Sequence, residues 1–297
     1  MVEKSDHLNS CRESEFVGGI EEIEGILSRI DPQKSALMQA VDAKGKDYGT
    51  YYYTAYSATL DLDTSLSVYK NVKNLVRLVV LTDRYFEVQN QRYRRLGEGI
   101  LARLKREDDG YMRTILKFNV KQFWHFWAFE QFTKTQMLRG YKFSESEVRS
   151  FNLFKSSDVA LIYAPVLEAM LPRFSHNASV ILHYNQALQD IDDDLDDIQE
   201  DLRDQMPNSF VLAALGKNTA RPYVQLYRHR MNGSKLTILE NASETVLGIV
   251  DDYMNSIDSI AVPDQFKFLK LLSRSYAERI RKKLSSRIQE SQRLTAA

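Results

Sequence analysis

The chain carries a single cysteine, Cys11, among 297 residues. That excludes a disulfide framework and points to a reducing compartment. Prolines number six, and none lies between Pro32 and Pro165, so nothing in that interval forces a helix to stop. No uninterrupted apolar run approaches the ~18 residues that a membrane span requires. The opening MVEKSDHLNS lacks the apolar core of a secretory leader. A cytoplasmic protein without an integral membrane segment is therefore expected. Net charge is missing too: 40 basic residues balance 40 acidic ones. The electrostatic footprint of a nucleic-acid binder is absent with it, and no nucleic-acid partner is expected. Period-two alternation of useful length and internal repeats are likewise lacking, which argues against strands and solenoids.

Helical periodicity fills the chain instead. The spacing predicts helices near 18–30, 33–44, 48–60, 65–106, 111–139, 145–171, 177–205, 208–215, 219–230, 234–259 and 263–290. Breaks fall at GKDYG (45–49), REDDGY (106–111), RGYKFSES (139–146), LPRFSHN (171–177), QMPNS (205–209) and MNGS (231–234). The fold class is all-α, read as one helical domain over 16–290 with disordered tails at 1–15 and 291–297.

One stretch departs from the balanced composition. Nine of the fifteen residues from Asp190 to Asp204 are acidic, and Arg203 is the lone base among them. Ile181, Tyr184, Leu188, Ile191, Leu195, Ile198 and Leu202 recur at helical spacing through the same segment, so the acids decorate one amphipathic helix. Acids four apart on a helix repel. Six such pairs, from Asp190/Asp194 to Glu200/Asp204, cost roughly 1–3 kcal/mol. A solvated acidic face is the plain reading, yet a merely soluble helix would mix in lysines. A calcium loop would need Gly at the position that Leu195 occupies. A di-iron bundle needs Glu three residues before His, a spacing that none of the five histidines has. Magnesium holding a diphosphate fits better. Mg²⁺ takes a few carboxylates together with water and phosphate oxygens, and Asp192, Asp196 and Glu200 form a ladder four residues apart.

These residues carry a family resemblance. DDDLDDIQE (192–200) resembles the second metal motif of class I terpene synthases. Asp192 and Glu200 match, and Asp196 stands where Ser or Thr is usual. Asn208, followed by SFVLAAL, fits the Asn and apolar helix that follow this motif. Gln189, Asp192, Asp193 and Asp196 also match the Q-x-x-D-D-x-x-D of trans-prenyltransferases, and DIQED (197–201) is similar to a motif of squalene and phytoene synthases. Upstream, VVLTDRYFE (79–87) resembles D-D-x-x-x-E through Asp83 and Glu87, with Thr82 in place of the first Asp; Arg94 and Arg95 follow it. LLSRSYAER (271–279) resembles the diphosphate-binding Arg-Tyr pair through Arg274 and Tyr276. Arg149 is nearest in spacing to the family's diphosphate-sensing Arg. Lys155 sits near the Lys-Thr of prenyltransferases, with Ser156 replacing Thr.

The resemblance spans roughly 45–280 and implies a single helical bundle of the class I isoprenoid synthase type, with a central cavity. It implies Mg²⁺ as cofactor, more than one ion, with Mn²⁺ as a substitute. Asp83, Glu87, Asp192, Asp193, Asp196 and Glu200 are the implied metal ligands, and Asp83, Asp192, Asp196 and Glu200 the catalytic set. Arg149, Lys155, Arg274 and Tyr276 are implied to bind the diphosphate of a prenyl substrate. Aromatic clusters at TYYYTAY (50–56) and FWHFWAFEQF (123–132) supply Tyr52, Tyr56, Phe123 and Trp127 as a cavity wall whose ring faces stabilise a carbocation. Three functions stay open: a terpene cyclase, a trans-prenyltransferase, and a non-catalytic helical prenyl-lipid-binding or partner protein of the same fold. A homodimer is also left open. On this reading the acidic repulsion is relieved by bound cations, so removing Asp192 or Glu200 is expected not to weaken the metal-free protein.

Overall fold

The apolar stripe from Ile181 to Leu202 forms one uninterrupted helix. The computed structural model describes residues 91–106, 125–126, 128–156, 176–217 and 233–296. Among them are six α-helices with printed bounds: α1 (Gln91–Arg106), α2 (Glu145–Lys155), α3 (His176–Asp204), α4 (Ser209–Lys217), α5 (Gly233–Ser259) and α6 (Lys267–Ala296). A 3₁₀ turn, Asp264–Phe266, precedes α6, and residues 128–138 are helical as well. No strand occurs among the described residues, so the all-α class holds there. No helix among them is long and apolar enough to cross a membrane. The last helix runs on to Ala296, through most of the segment that the sequence suggested as a tail.

The chain divides into two compact units. One holds 1–118, 165–173 and 263–272; its described parts are α1, the 3₁₀ turn and the first residues of α6. On α1, Arg94 pairs with Glu98 one turn later at 2.9 Å, in the open. The other unit holds 119–164, 174–262 and 273–297, and the acidic helix belongs to it.

Within that second unit, α3 has no Gly or Pro in its 29 residues. Its stripe goes inward as the periodicity requires: Ile181, Leu188, Ile191, Leu195, Ile198 and Leu202 are buried. Each such side chain contributes about 1.5–3 kcal/mol by leaving water. Tyr184 is half-buried and meets the Tyr253 ring of α5 at 5.2 Å. The helix stops where Gln205 turns left-handed (φ 59°) and the Met206 amide donates to the Asp201 carbonyl at 2.8 Å. Pro207 follows and cannot continue the ladder.

Asn208 then starts α4. Its side-chain oxygen accepts from the Phe210 and Val211 amides at 2.9 and 3.4 Å, an N-cap that satisfies two otherwise orphaned donors. Phe210 to Leu215 are all buried, and α4 packs chiefly on α5. At the end of α4 a Cβ on Gly216 would stand 2.1 Å from the Phe143 carbonyl oxygen, so only glycine permits this approach. Near Phe143, α2 begins with a reciprocal cap. Ser144 accepts from the Glu147 amide at 3.3 Å, and Glu147 accepts from the Ser144 amide at 2.8 Å. The Ser144 amide and the Tyr141 hydroxyl hold the Glu147 carboxyl below its ordinary pKa. The C-terminal end of α2 and the N-terminal end of α4 meet α3, and that contact positions three of the nine acids, Asp190, Asp194 and Asp201.

Candidate functional site

At about 100° per residue, the nine acids cannot share one line on α3. They spread over a wide arc with two flanks and a middle, and the structure gives each part different company.

The first flank carries Asp190, Asp194 and Asp201. Asp194 is 2% exposed and has both oxygens occupied: Lys155 Nζ lies 2.9 Å from one, and the Ser209 amide donates to the other at 2.8 Å. Asp190 accepts from Ser156 Oγ at 2.6 Å and from Gln186 Nε2 at 2.8 Å. Asn208 Nδ2 donates to the Asp194 carbonyl at 2.7 Å and to Asp201 Oδ2 at 2.8 Å. One asparagine therefore caps α4 and ties it to α3. Burial, reinforced by Asp194, pushes the Asp201 carboxyl up to about 7 despite the Asn208 hydrogen bond. Burial also raises Asp190, although Lys155 opposes the shift. Desolvation works against the Lys155 ammonium, but Asp194 and Asp190 outweigh it and hold the pKa well above its ordinary value.

The second flank carries Asp192 and Asp196 and faces three bases of α6 that are themselves four apart. Asp192, 5% exposed, pairs with Arg279 Nε at 2.7 Å and Lys283 Nζ at 2.9 Å. Asp196 pairs with Lys283 Nζ at 2.8 Å and with Arg287, which also donates to the Leu195 carbonyl. The Lys283 ammonium thus bridges two carboxylates of adjacent helical turns. Desolvation opposes its charge, yet the hydrogen bond to Asp196 and the charge of Asp192 raise its pKa. Tyr276 lies buried beneath this row, its ring centroid 4.8 Å from the Arg279 guanidinium carbon. That cation–π contact orients Arg279 toward Asp192.

The middle of the arc carries Asp193, Asp197, Glu200 and Asp204. Burial and the charges of Asp190 and Asp192 push the Asp193 carboxyl well up. Glu200 is half-exposed and lies 3.4 Å from Arg203, which also pairs with Asp204 at 2.9 Å.

Of the residues predicted from sequence, Asp192, Asp196 and, through Arg279, Tyr276 come together; Lys155 joins the acidic helix on its other flank. Glu200 turns to Arg203. Arg149 pairs with Asp252 at 2.9 Å, its guanidinium 5.9 Å from the centre of the Tyr253 ring. Arg274 pairs with Asp258 at 2.9 Å on an exposed surface. Asp83, Glu87, Tyr52, Tyr56, Phe123 and Trp127 lie outside the described residues. Arg279, Lys283 and Arg287 were missed, although their spacing repeats that of Asp192, Asp196 and Glu200 and was legible in the sequence.

The repulsion along α3 is therefore relieved from inside the protein. At Asp192 this leads to the opposite expectation for stability, because its removal takes a close ionic partner from both Arg279 and Lys283. Among the described residues no three His, Cys, Asp or Glu side chains are gathered as a metal site. Two carboxylates do converge on one cation, the Lys283 ammonium, so the Asp192/Asp196 pair fits a shared positive charge. Compared with family models, curated proteins and solved structures, the chain matches none.

Proposed function

We propose that this protein ionises an allylic prenyl diphosphate with Mg²⁺ bound by Asp192, Asp196 and Glu200. The observation that supports the reading is the Lys283 ammonium held at 2.9 and 2.8 Å between Asp192 and Asp196. It marks the place where two carboxylates and a cation already meet. Bound there, Mg²⁺ supplies neutralisation of the charge that develops on the leaving diphosphate. Arg279, Lys283 and Arg287 donate charge-assisted hydrogen bonds to phosphate oxygens. The allylic C–O bond breaks heterolytically and its electron pair leaves with the diphosphate. The remaining cation cyclises and loses a proton, or alkylates a second isoprenoid. Cyclisation is the preferred outcome, because the sequence lacks the complete D-D-x-x-D of a prenyltransferase.

The test is incubation of the purified protein with Mg²⁺ and C10, C15, C20 and C25 allylic diphosphates, with and without isopentenyl diphosphate. A cyclic hydrocarbon or alcohol formed without isopentenyl diphosphate identifies a cyclase, and a longer diphosphate formed only with it identifies a prenyltransferase. A second reading is favoured by the same ion pairs. Asp192 and Asp196 already have cationic partners, as they would in a non-catalytic helical protein that uses the ladder to join α3 to α6. Absence of product, together with absence of Mg²⁺-dependent diphosphate binding, decides for that reading.

A further inference from the structure

We infer that Ser286 is a phosphorylation site, and that its phosphate draws the Lys283 ammonium away from Asp192 and Asp196. Three observations carry this. Ser286 is exposed on α6, within reach of a kinase. Arg281, Lys282 and Lys283 precede it and Arg287 follows it, a set of bases that fits a kinase whose substrate groove is acidic. No residue after Leu284 is buried among the described residues of α6. The turns around Ser286 can therefore open into such a groove at little cost in burial.

The phosphate would stand beside the ion-pair row. Residues three apart on a helix are neighbours, and Lys283 lies three before Ser286. Lys283 spans Asp192 and Asp196 at 2.9 and 2.8 Å. The kinase transfers the terminal phosphoryl group of a nucleoside triphosphate. The bond from serine Oγ to phosphorus forms, the bond to the nucleoside diphosphate breaks with its electron pair, and the hydroxyl proton passes to solvent. Phosphoserine brings about two negative charges and three acceptor oxygens. Lys283, a compact charge on a flexible stem, turns to them. Asp192 then keeps Arg279 and Asp196 keeps Arg287, one base each instead of two. The new negative charge also repels both carboxylates, and the end of α6 loosens from α3. Ser285 is exposed too, but it sits about 100° round the helix. Its neighbours one turn earlier are Arg281 and Lys282, so a phosphate there leaves Lys283 in place.

The full chain and S286A are incubated with ATP and the catalytic domain of a protein kinase selective for bases on both sides of serine. Peptide mass spectrometry should find phosphate on Ser286; its absence there overturns the site. Hydrogen–deuterium exchange over the second half of α6 is then compared between the two treated proteins. Exchange should be about tenfold faster in the phosphorylated natural chain than in S286A, as loss of a charge-assisted hydrogen bond implies. K283Q should exchange faster before treatment and gain little from it. R287Q, which leaves Lys283 and both partners of Asp192 in place, should still gain, and it serves if K283Q fails to fold. Unchanged exchange on phosphorylation of Ser286, an equal gain in K283Q, or no gain in R287Q overturns the coupling to Lys283.

Discussion

The two flanks of α3 carry the same residue type on the same helix, yet the structure treats them differently. Asp190, Asp194 and Asp201 are met mostly by neutral donors of fixed position: the Ser209 amide, the Asn208 and Gln186 amides and the Ser156 hydroxyl, with Lys155 as the one cation. Asp192 and Asp196 are met entirely by long cationic side chains reaching over from α6. Fixed dipoles hold a carboxylate without being able to leave it, so the first flank is architecture. Flexible cations can be exchanged for others, so the second flank is the one on which the proposed function rests. Charge density along α3 does not separate the flanks; the groups opposite do.

The two flanks should differ most at Asp194. Asp194→Ala removes the partner of Lys155 and of the Ser209 amide at a position without access to water, and should cost about 3–5 kcal/mol in urea denaturation. A loss below about 1 kcal/mol would mean that the first flank is not structural. Asp192→Ala should cost less, about 2–3 kcal/mol, because Lys283 keeps Asp196 at 2.8 Å, whereas Asp194→Ala also takes the acceptor from the buried Ser209 amide. An unchanged or raised melting temperature for this variant would restore the view that α3 is strained until a metal binds.

On the first flank, pH acts through Asp201. Asp201 has its carboxyl raised to about 7 in the fold, against about 3.9 in an unfolded chain. Between those values the native state binds more protons than the unfolded one. Asp201 therefore stabilises the fold progressively less as pH rises from about 4 to 7. Asp201→Asn keeps an oxygen for Asn208 and removes the charge. It should raise stability at pH 8 by about 1–2 kcal/mol and change little at pH 4. Equal effects at both pH values would show that Asp201 is ionised and well solvated in the native protein.

Much of this arrangement was legible beforehand. The spacing from Ile181 to Leu202 placed α3 within a residue at each end, and the predicted helix at 234–259 came within one residue of Gly233–Ser259. The SES of the 139–146 break marked the start of α2 because a serine followed by Glu three residues later caps a helix locally. Asn208 was also noticed, but as the echo of a motif; its role as a cap that ties α4 to Asp194 and Asp201 depends on a fold-back that no periodicity encodes. Arg274 stood out because it matched a pair in a familiar order, whereas Arg279, Lys283 and Arg287 looked like ordinary bases on a charged terminal helix.

What the sequence determined by itself is therefore local: which segments are helical, where they stop, which face of α3 is apolar, and that its other face is intensely acidic. Helical period, caps and breaks act over a few residues, so a few residues suffice to read them. The tertiary structure alone decided which acid meets which partner. Lys283 and Asp196 are separated by 87 positions in the chain, and a helical wheel gives only an arc. The pairing comes from packing α3 by its apolar stripe, which turns one edge of the acidic arc to α2 and α4 and the other to the bases of α6. Burying the stripe takes Asp192 and Asp194 out of water with it, so each needs a partner from elsewhere in the chain, and only the fold decides which.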